Sequence, residues 1–156
     1  MKAVVQRVTN ASVSAEGRVI GSIGSGLLVY LGVAVDDSTN DADWLAEKIV
    51  HLRIFDDSEG KMNVSLPDII NRSHKSVNTG VLVISQFTLL GDVIKGRRPS
   101  WAKAAPPEKA RDLYNYFIEK IRQTGLTCES GEFQARMKVS YTNDGPVTIL
   151  LDTTEK

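Results

Sequence analysis

The run Leu27-Leu28-Val29-Tyr30-Leu31-Gly32-Val33-Ala34 constrains this chain more than any other segment. It is apolar without alternation, so neither of its faces is suited to water. It falls far short of the ~18 apolar residues that a bilayer span needs. It therefore reads as a central strand buried on both faces. Gly80 to Phe87, with Val81-Leu82-Val83-Ile84 at its heart, repeats the pattern and predicts a second buried strand. A chain of 156 residues can close over such a sheet as one domain.

The flanking segments supply the rest of the sheet and its cover. Val4, Val5 and Val8 are strand residues, Ala11 to Ala15 alternates, and Val19 to Ile23 resumes after the turn signal Glu16-Gly17-Arg18, which predicts a hairpin. Gly24-Ser25-Gly26 turns the chain into the central strand. A helix starts near Thr39 to Asp41, with Asp41 and Asp43 in its first turn and Leu45, Ile49 and Leu52 on its inner face. His51 falls in this stretch as a structural, helical residue. Asp56 to Lys61 is a turn, and Met62 to Lys75, with Pro67, reads as irregular. Thr88 to Pro107 is a long connection, a length that usually marks function. Pro106-Pro107 opens a second helix with Ala110, Leu113, Phe117 and Ile121 inward and Gly125 at its end. Phe133 to Thr142 and Val147 to Asp152 read as two strands. The sum is a single α+β domain over residues 1–156, with a curled, barrel-like mixed sheet of seven or eight strands flanked by two main helices.

Charge and rare residues narrow the function. The 19 Lys+Arg balance 19 Asp+Glu, which excludes binding of nucleic acid or membrane surfaces by bulk positive charge. A lone cysteine, Cys128, cannot form an internal disulfide, and Met1 to Arg7 has no signal-peptide core, so a cytoplasmic protein without a membrane segment is expected. Cys128 reads as a small buried hydrophobe. His51, His74 and Cys128 lack zinc-ligand spacing, so neither a metal site nor a Ser-His-Asp or Cys-His machine is expected.

Three segments can carry chemistry. Ser85-Gln86-Phe87-Thr88-Leu89 ends a buried strand, where a scaffold presents side chains and backbone N–H groups to a ligand. By spacing alone it also reads as a strand fraying into a loop, and no base is in view to activate either hydroxyl. Val93 to Pro107 holds four basic residues, Lys95, Arg97, Arg98 and Lys103, with Trp101 among them and no acid. This is either a phosphate and base contact surface or a solvated loop with one packed tryptophan. Arg72, His74 and Lys75 extend the patch if the loops meet. Asn143-Asp144-Gly145-Pro146 has the composition of a plain hairpin turn.

Taken together, Met1 to Val8, Ser85-Gln86-Phe87-Thr88-Leu89, Arg98-Pro99-Ser100-Trp101 and Asn143-Asp144-Gly145-Pro146-Val147-Thr148 resemble the D-aminoacyl-tRNA deacylases, also called D-tyrosyl-tRNA deacylases. The likeness runs nearly end to end, with the two main motifs in order and about sixty residues apart. It implies that family's fold and a cytosolic homodimer with no cofactor. The implied reaction, at the acceptor end of tRNA, is hydrolysis of the ester between a D-amino acid and the terminal adenosine. Glycyl-tRNA mischarged onto the alanine tRNA is a second implied substrate.

The resemblance also implies roles. Gly145-Pro146 would be cis and reach into the partner's pocket to reject L side chains, supported by Arg7 and Asn143. Ser85, Gln86, Phe87 and Thr88 would line the reacting ester. Phe133, Met137 and Ala105 would surround the adenosine. The 2′-OH of the terminal ribose would help activate the water; a rival version makes Thr88 a covalent nucleophile. Two other readings stand beside this one. One is a non-catalytic dimeric nucleic-acid-binding module using Lys95 to Lys103. The other is a related deacylase of L-alanyl-tRNA whose Gly-Pro is trans, though Gln6-Arg7 and Asn143 to Pro146 fit the cis type better.

Overall fold

A computed structural model of the chain describes residues 1–72 and 78–156, with the backbone alone at Arg72. The sequence-predicted first strand and first hairpin arm are one strand, β1 (Lys2–Ala15). It is followed by β2 (Arg18–Ile23) and β3 (Gly26–Gly32). Then come α1 (Thr39–Val50), β4 (Phe55–Asp56), β5 (Met62–Val64), α2 (Leu66–Arg72), β6 (Gly80–Ser85), α3 (Pro107–Gln123), β7 (Thr127–Ser130) and β8 (Met137–Asp152). Short 3-10 turns follow β6 and β8.

The main sheet runs β2-β1-β3-β6-β7, and β8 pairs with β1 along nearly its whole length. β3 takes the N-terminal half of β1 and β2 the C-terminal half, so β1 spans the bend of the sheet. β2 comes round to β7, where a Cβ on Gly21 would meet the Ser130 carbonyl at 2.8 Å. This nearly closes a barrel. β3–β6 and β6–β7 are parallel and the other main-sheet pairs antiparallel.

The central run behaves as its composition requires. Leu27, Val29 and Leu31 of β3 enter the core beneath α1 and α3, together with Val81 and Val83 of β6. Leu28, Leu82 and Ile84 point the other way, into a second core with Val13 and Ile23. Each such side chain contributes about 1.5–3 kcal/mol on burial. The two large helices pack on one face of the sheet and are tied by Tyr116 and Lys120 of α3, each 3.0 Å from an oxygen of Asp43 of α1.

Three expectations are corrected. Residues 62–72 are not irregular: β5 pairs with β4, and Ser65 caps α2 through Asp68 (N to Oδ2 3.1 Å), with Pro67 in the first turn where its missing N–H costs nothing. His51 is the exposed C-cap of α1 rather than a residue within the helix, and its Nδ1 lies 3.0 Å from the Glu47 carbonyl. The strand at Gly80 ends at Ser85 rather than Phe87, because the chain turns into a 3-10 helix over Phe87–Leu90. Cys128 is buried on β7, and burial pushes its thiol pKa up to about 12, so it is a packing residue. Among the described residues, no helix is long and apolar enough to cross a membrane.

Candidate active site

Because β3 and β6 are parallel, with Leu31 opposite Ser85, their C-terminal ends open on the same side. The Gln86 N–H donates to the Leu31 carbonyl at 2.7 Å as the final rung before the 3-10 turn. The opening N–H groups of such a turn have no partner within it. A pocket of about 630 Å³ sits at this edge, within the range of small-ligand sites. Its walls come from Leu31 and Ile84 of the sheet, Val33 just beyond β3, Ala110 and Tyr114 of α3, and Phe133 with Met137 near the start of β8.

Tyr114 organises the floor. Its hydroxyl donates to the Val83 carbonyl at 2.8 Å and approaches the Gly131 carbonyl at 3.4 Å, while its ring lies 5.9 Å from that of Phe133. Burial, and then the neighbouring Cys128 thiol, raise its pKa above the ordinary phenol value, so it stays protonated. Among the described residues lining the pocket there is no Asp, Glu, His, Cys, Lys or Arg. Nor does any cluster of His, Cys, Asp or Glu among the described residues have the makings of a metal site.

The pocket gathers only part of the set singled out in the sequence. Ser85, Gln86, Phe87, Ala105, Phe133 and Met137 line it, and so does Trp101, whose ring meets Phe87 edge-on at 5.1 Å. Phe133 itself lies in a turn before β8 rather than in a strand. Thr88 is outside the lining and exposed, and its hydroxyl oxygen accepts from the Gln86 side-chain amide. Lys95, Arg97 and Arg98 are exposed on the connection that carries Trp101. Lys103 is neutralised by Asp92 at 3.1 Å, an acid just outside the acid-free stretch. His74 and Lys75 lie outside the described residues, as does the side chain of Arg72. Sequence reasoning missed Tyr114 and Gln134. Tyr114 follows Ala110 by four residues on the inner stripe of α3, so periodicity carried the signal; Gln134, in an apparent strand, carried none.

Gly145 and Pro146 require a larger correction. They do not turn a hairpin: residues on both sides of them pair with β1 in the same antiparallel sense, Asn143 with Val8 and Thr148 with Gln6. β1 advances two residues where β8 uses five, so the segment bulges out of a continuous strand. The Gly145–Pro146 peptide is cis and both residues are exposed. Gly145 has φ +116°, and a Cβ there would meet Val147 Cγ2 at 2.8 Å and Arg7 Nη2 at 3.0 Å. Arg7 is buried beneath the bulge, with Nε 3.1 Å from the Asp144 carboxylate and Nη1 donating to the Ile54 carbonyl at 2.7 Å and reaching Asp56 at 3.3 Å. The Asn143 amide closes the gap in the ladder, donating to the carbonyls of Arg7 and Val147, both at 3.0 Å. Neither Gly145 nor Pro146 lines the pocket of its own chain.

Arg7→Ala is expected to cost about 2 kcal/mol, read as a lowered urea midpoint at unchanged slope. The cost stays below that of a fully buried pair because the Asp56 and Asp144 side chains are half exposed. An unchanged midpoint would mean that the guanidinium does not hold the bulge.

The family model described as D-Tyr-tRNA(Tyr) deacylase matches residues 4–152. The D-aminoacyl-tRNA deacylase of Geobacter sp. (strain M21) is 54% identical over 100% of this chain and 99% of its own. That of Koribacter versatilis (strain Ellin345) is 56% identical over 98% and 97%. A solved structure named c-Myc DNA Unwinding Element Binding Protein superposes with a TM-score of 0.86 at 42% identity, over 97% of this chain and 98% of that one. A probable eukaryotic D-amino acid tRNA deacylase, 16% identical, shares the fold with a TM-score of 0.77 over 96% and 97%. With a family model spanning almost the whole sequence and relatives more than half identical from end to end, the chain belongs to the D-Tyr-tRNA(Tyr) deacylase family.

Proposed function

We propose that this protein hydrolyses the ester joining a D-amino acid to the terminal adenosine of tRNA. As a member of its family it is a hydrolase of ester bonds, a D-aminoacyl-tRNA deacylase. The observation that carries the finer reading is the uncharged pocket at the β3 and β6 ends. An aminoacyl ester is already activated, so a site that positions it and offers N–H groups to the developing oxyanion needs no charged side chain. Water adds to the ester carbonyl, the bond to the ribose 3′-oxygen breaks, and that oxygen takes up a proton. The 2′-OH beside it is the group that assists the water.

Selection against L residues is assigned to Gly145-Pro146. The bulge is exposed, held from below by Arg7 and Asn143, and absent from its own chain's pocket. A role in selection therefore means entry into the pocket of a second copy, which makes the working unit a homodimer. A main-chain wall excludes an L side chain while leaving room for D residues and for glycine, including glycine mischarged onto the alanine tRNA. Phe133, Met137 and Ala105 hold the adenosine. Lys95, Arg97, Arg98, Trp101 and Lys103 flank the approach of the acceptor end. The cytoplasm, where aminoacyl-tRNA is made and used, is the place of action.

Incubation with D-tyrosyl-tRNA and L-tyrosyl-tRNA tests this directly: amino acid is released from the D ester alone. Equal release from both would overturn the chiral assignment. Binding of tRNA with release from neither would favour a binding module, the reading suggested by the name of the DNA-binding relative. Thr88→Ala is expected to keep kcat within about fivefold, since its hydroxyl is engaged by Gln86 and outside the pocket lining. A hundredfold loss with unchanged KM would instead give Thr88 a covalent role.

A further inference from the structure

We propose that Arg111 binds the phosphate of the substrate's terminal nucleotide, with Gln134 holding it at the pocket mouth. The inference rests on the deacylase reading only in placing adenosine in the pocket.

The pocket lining is uncharged among the described residues, so the nucleoside enters a neutral space and its phosphate must be met at the rim. Arg111 stands at that rim. Its guanidinium lies 5.5 Å from the centre of the Phe133 ring, and Nη2 donates to Gln134 Oε1 at 3.0 Å. Phe133 and Gln134 both line the pocket. The other cations of α3 are otherwise engaged. Lys120 pairs with Asp43, Arg122 donates to the Cys128 carbonyl, and Lys109 donates to the Val35 carbonyl. Arg111 alone of these is turned onto pocket residues, and among the described residues it makes no ion pair with a carboxylate. An arginine has five N–H donors in a planar fork suited to two phosphate oxygens, and the Gln134 contact uses one.

Gln134 keeps φ at +66°, a conformation that residues with side chains seldom hold, and its carbonyl oxygen points the guanidinium along the rim. Packing on Phe133 further restricts the side chain, so less freedom is lost when a phosphate arrives. The exposed Lys95, Arg97 and Arg98 belong to the connection bearing Trp101, and they are left to meet phosphates further along the strand.

The test compares 3′-O-D-tyrosyl-adenosine with its 5′-phosphate as minimal esters. Wild type is expected to favour the phosphorylated ester about tenfold in kcat/KM, through KM. Arg111→Ala should bring that ratio close to one, and Arg111→Lys should restore part of it. Equal losses on both esters would reduce Arg111 to a packing partner of Phe133, and an unchanged ratio would also overturn the proposal. Calorimetry with AMP and adenosine reads the same ratio without turnover. Hydrolysis of neither ester, with AMP still preferred through Arg111, would overturn the deacylase reading and leave the phosphate site standing.

Discussion

Gly26→Ala is expected to destabilise the chain strongly. A Cβ at Gly26 would lie 1.9 Å from the Gly80 carbonyl oxygen, closer than any non-bonded pair of heavy atoms can approach. The obstacle is backbone, so no rotamer change removes it. The two glycines are direct partners across the β3–β6 ladder, and Gly80 is itself confined, because a Cβ there would meet the Thr127 carbonyl at 2.5 Å. Three strands thus begin side by side with no room for a methyl group, and separating two of them breaks both cores at their shared wall. The cost is about 4 kcal/mol or more against a typical total of about 5–15, which lowers the melting temperature by roughly 10 °C or more. Gly125→Ala is the control. Its φ is +85° but nothing lies within 4 Å of an added Cβ, so only conformational strain of about 1 kcal/mol enters. Thermal melts of the two variants separate close approach from conformation, and equal shifts would refute the steric account.

A D-tyrosyl-tRNA ending in 2′-deoxyadenosine is expected to bind with nearly unchanged KM and to turn over at least about a hundredfold more slowly. The pocket offers no carboxylate, imidazole or amine among its described lining, and the one titratable group there, the Tyr114 phenol, is held protonated by burial and spends its proton on the Val83 carbonyl. On the proposed mechanism, general-base assistance, typically worth about 10²–10⁴ in rate, comes from the substrate. The hydroxyl next to the scissile ester is the group within reach. Single-turnover rates, corrected for spontaneous hydrolysis, decide the matter; a loss smaller than about fivefold would mean that the enzyme supplies the base.

How much of this could be read in the sequence follows from which forces are local. The two buried strands were legible because burial on both faces erases alternation, and α3 because Pro107, the Ala110–Leu113–Phe117–Ile121 stripe and Gly125 all point the same way. α2 was misjudged because Pro67 drew attention from the capping pair Ser65 and Asp68 three residues apart. The Asn143 to Pro146 segment was misjudged on better grounds: its composition is that of a hairpin turn. What overrides it is the pairing of both its flanks with β1, sealed by Arg7 and Asn143, 136 residues apart in sequence. Turn propensity is local, and this outcome is not.

The continuity of β8 has a consequence for how the family can vary. Met137 and Val139, which line the pocket, and Gly145-Pro146, at the bulge, ride on one strand fixed against β1. Side chains on a strand alternate, so deleting one residue between Val139 and Asn143 would turn Met137 and Val139 out of the pocket or drag the bulge off Arg7. The interval between the wall and the Gly-Pro pair is therefore a constraint on length more than on identity. Lys138 and Ser140 between them are exposed on the outer face of the strand, so their side chains bear on this spacing less than their number does.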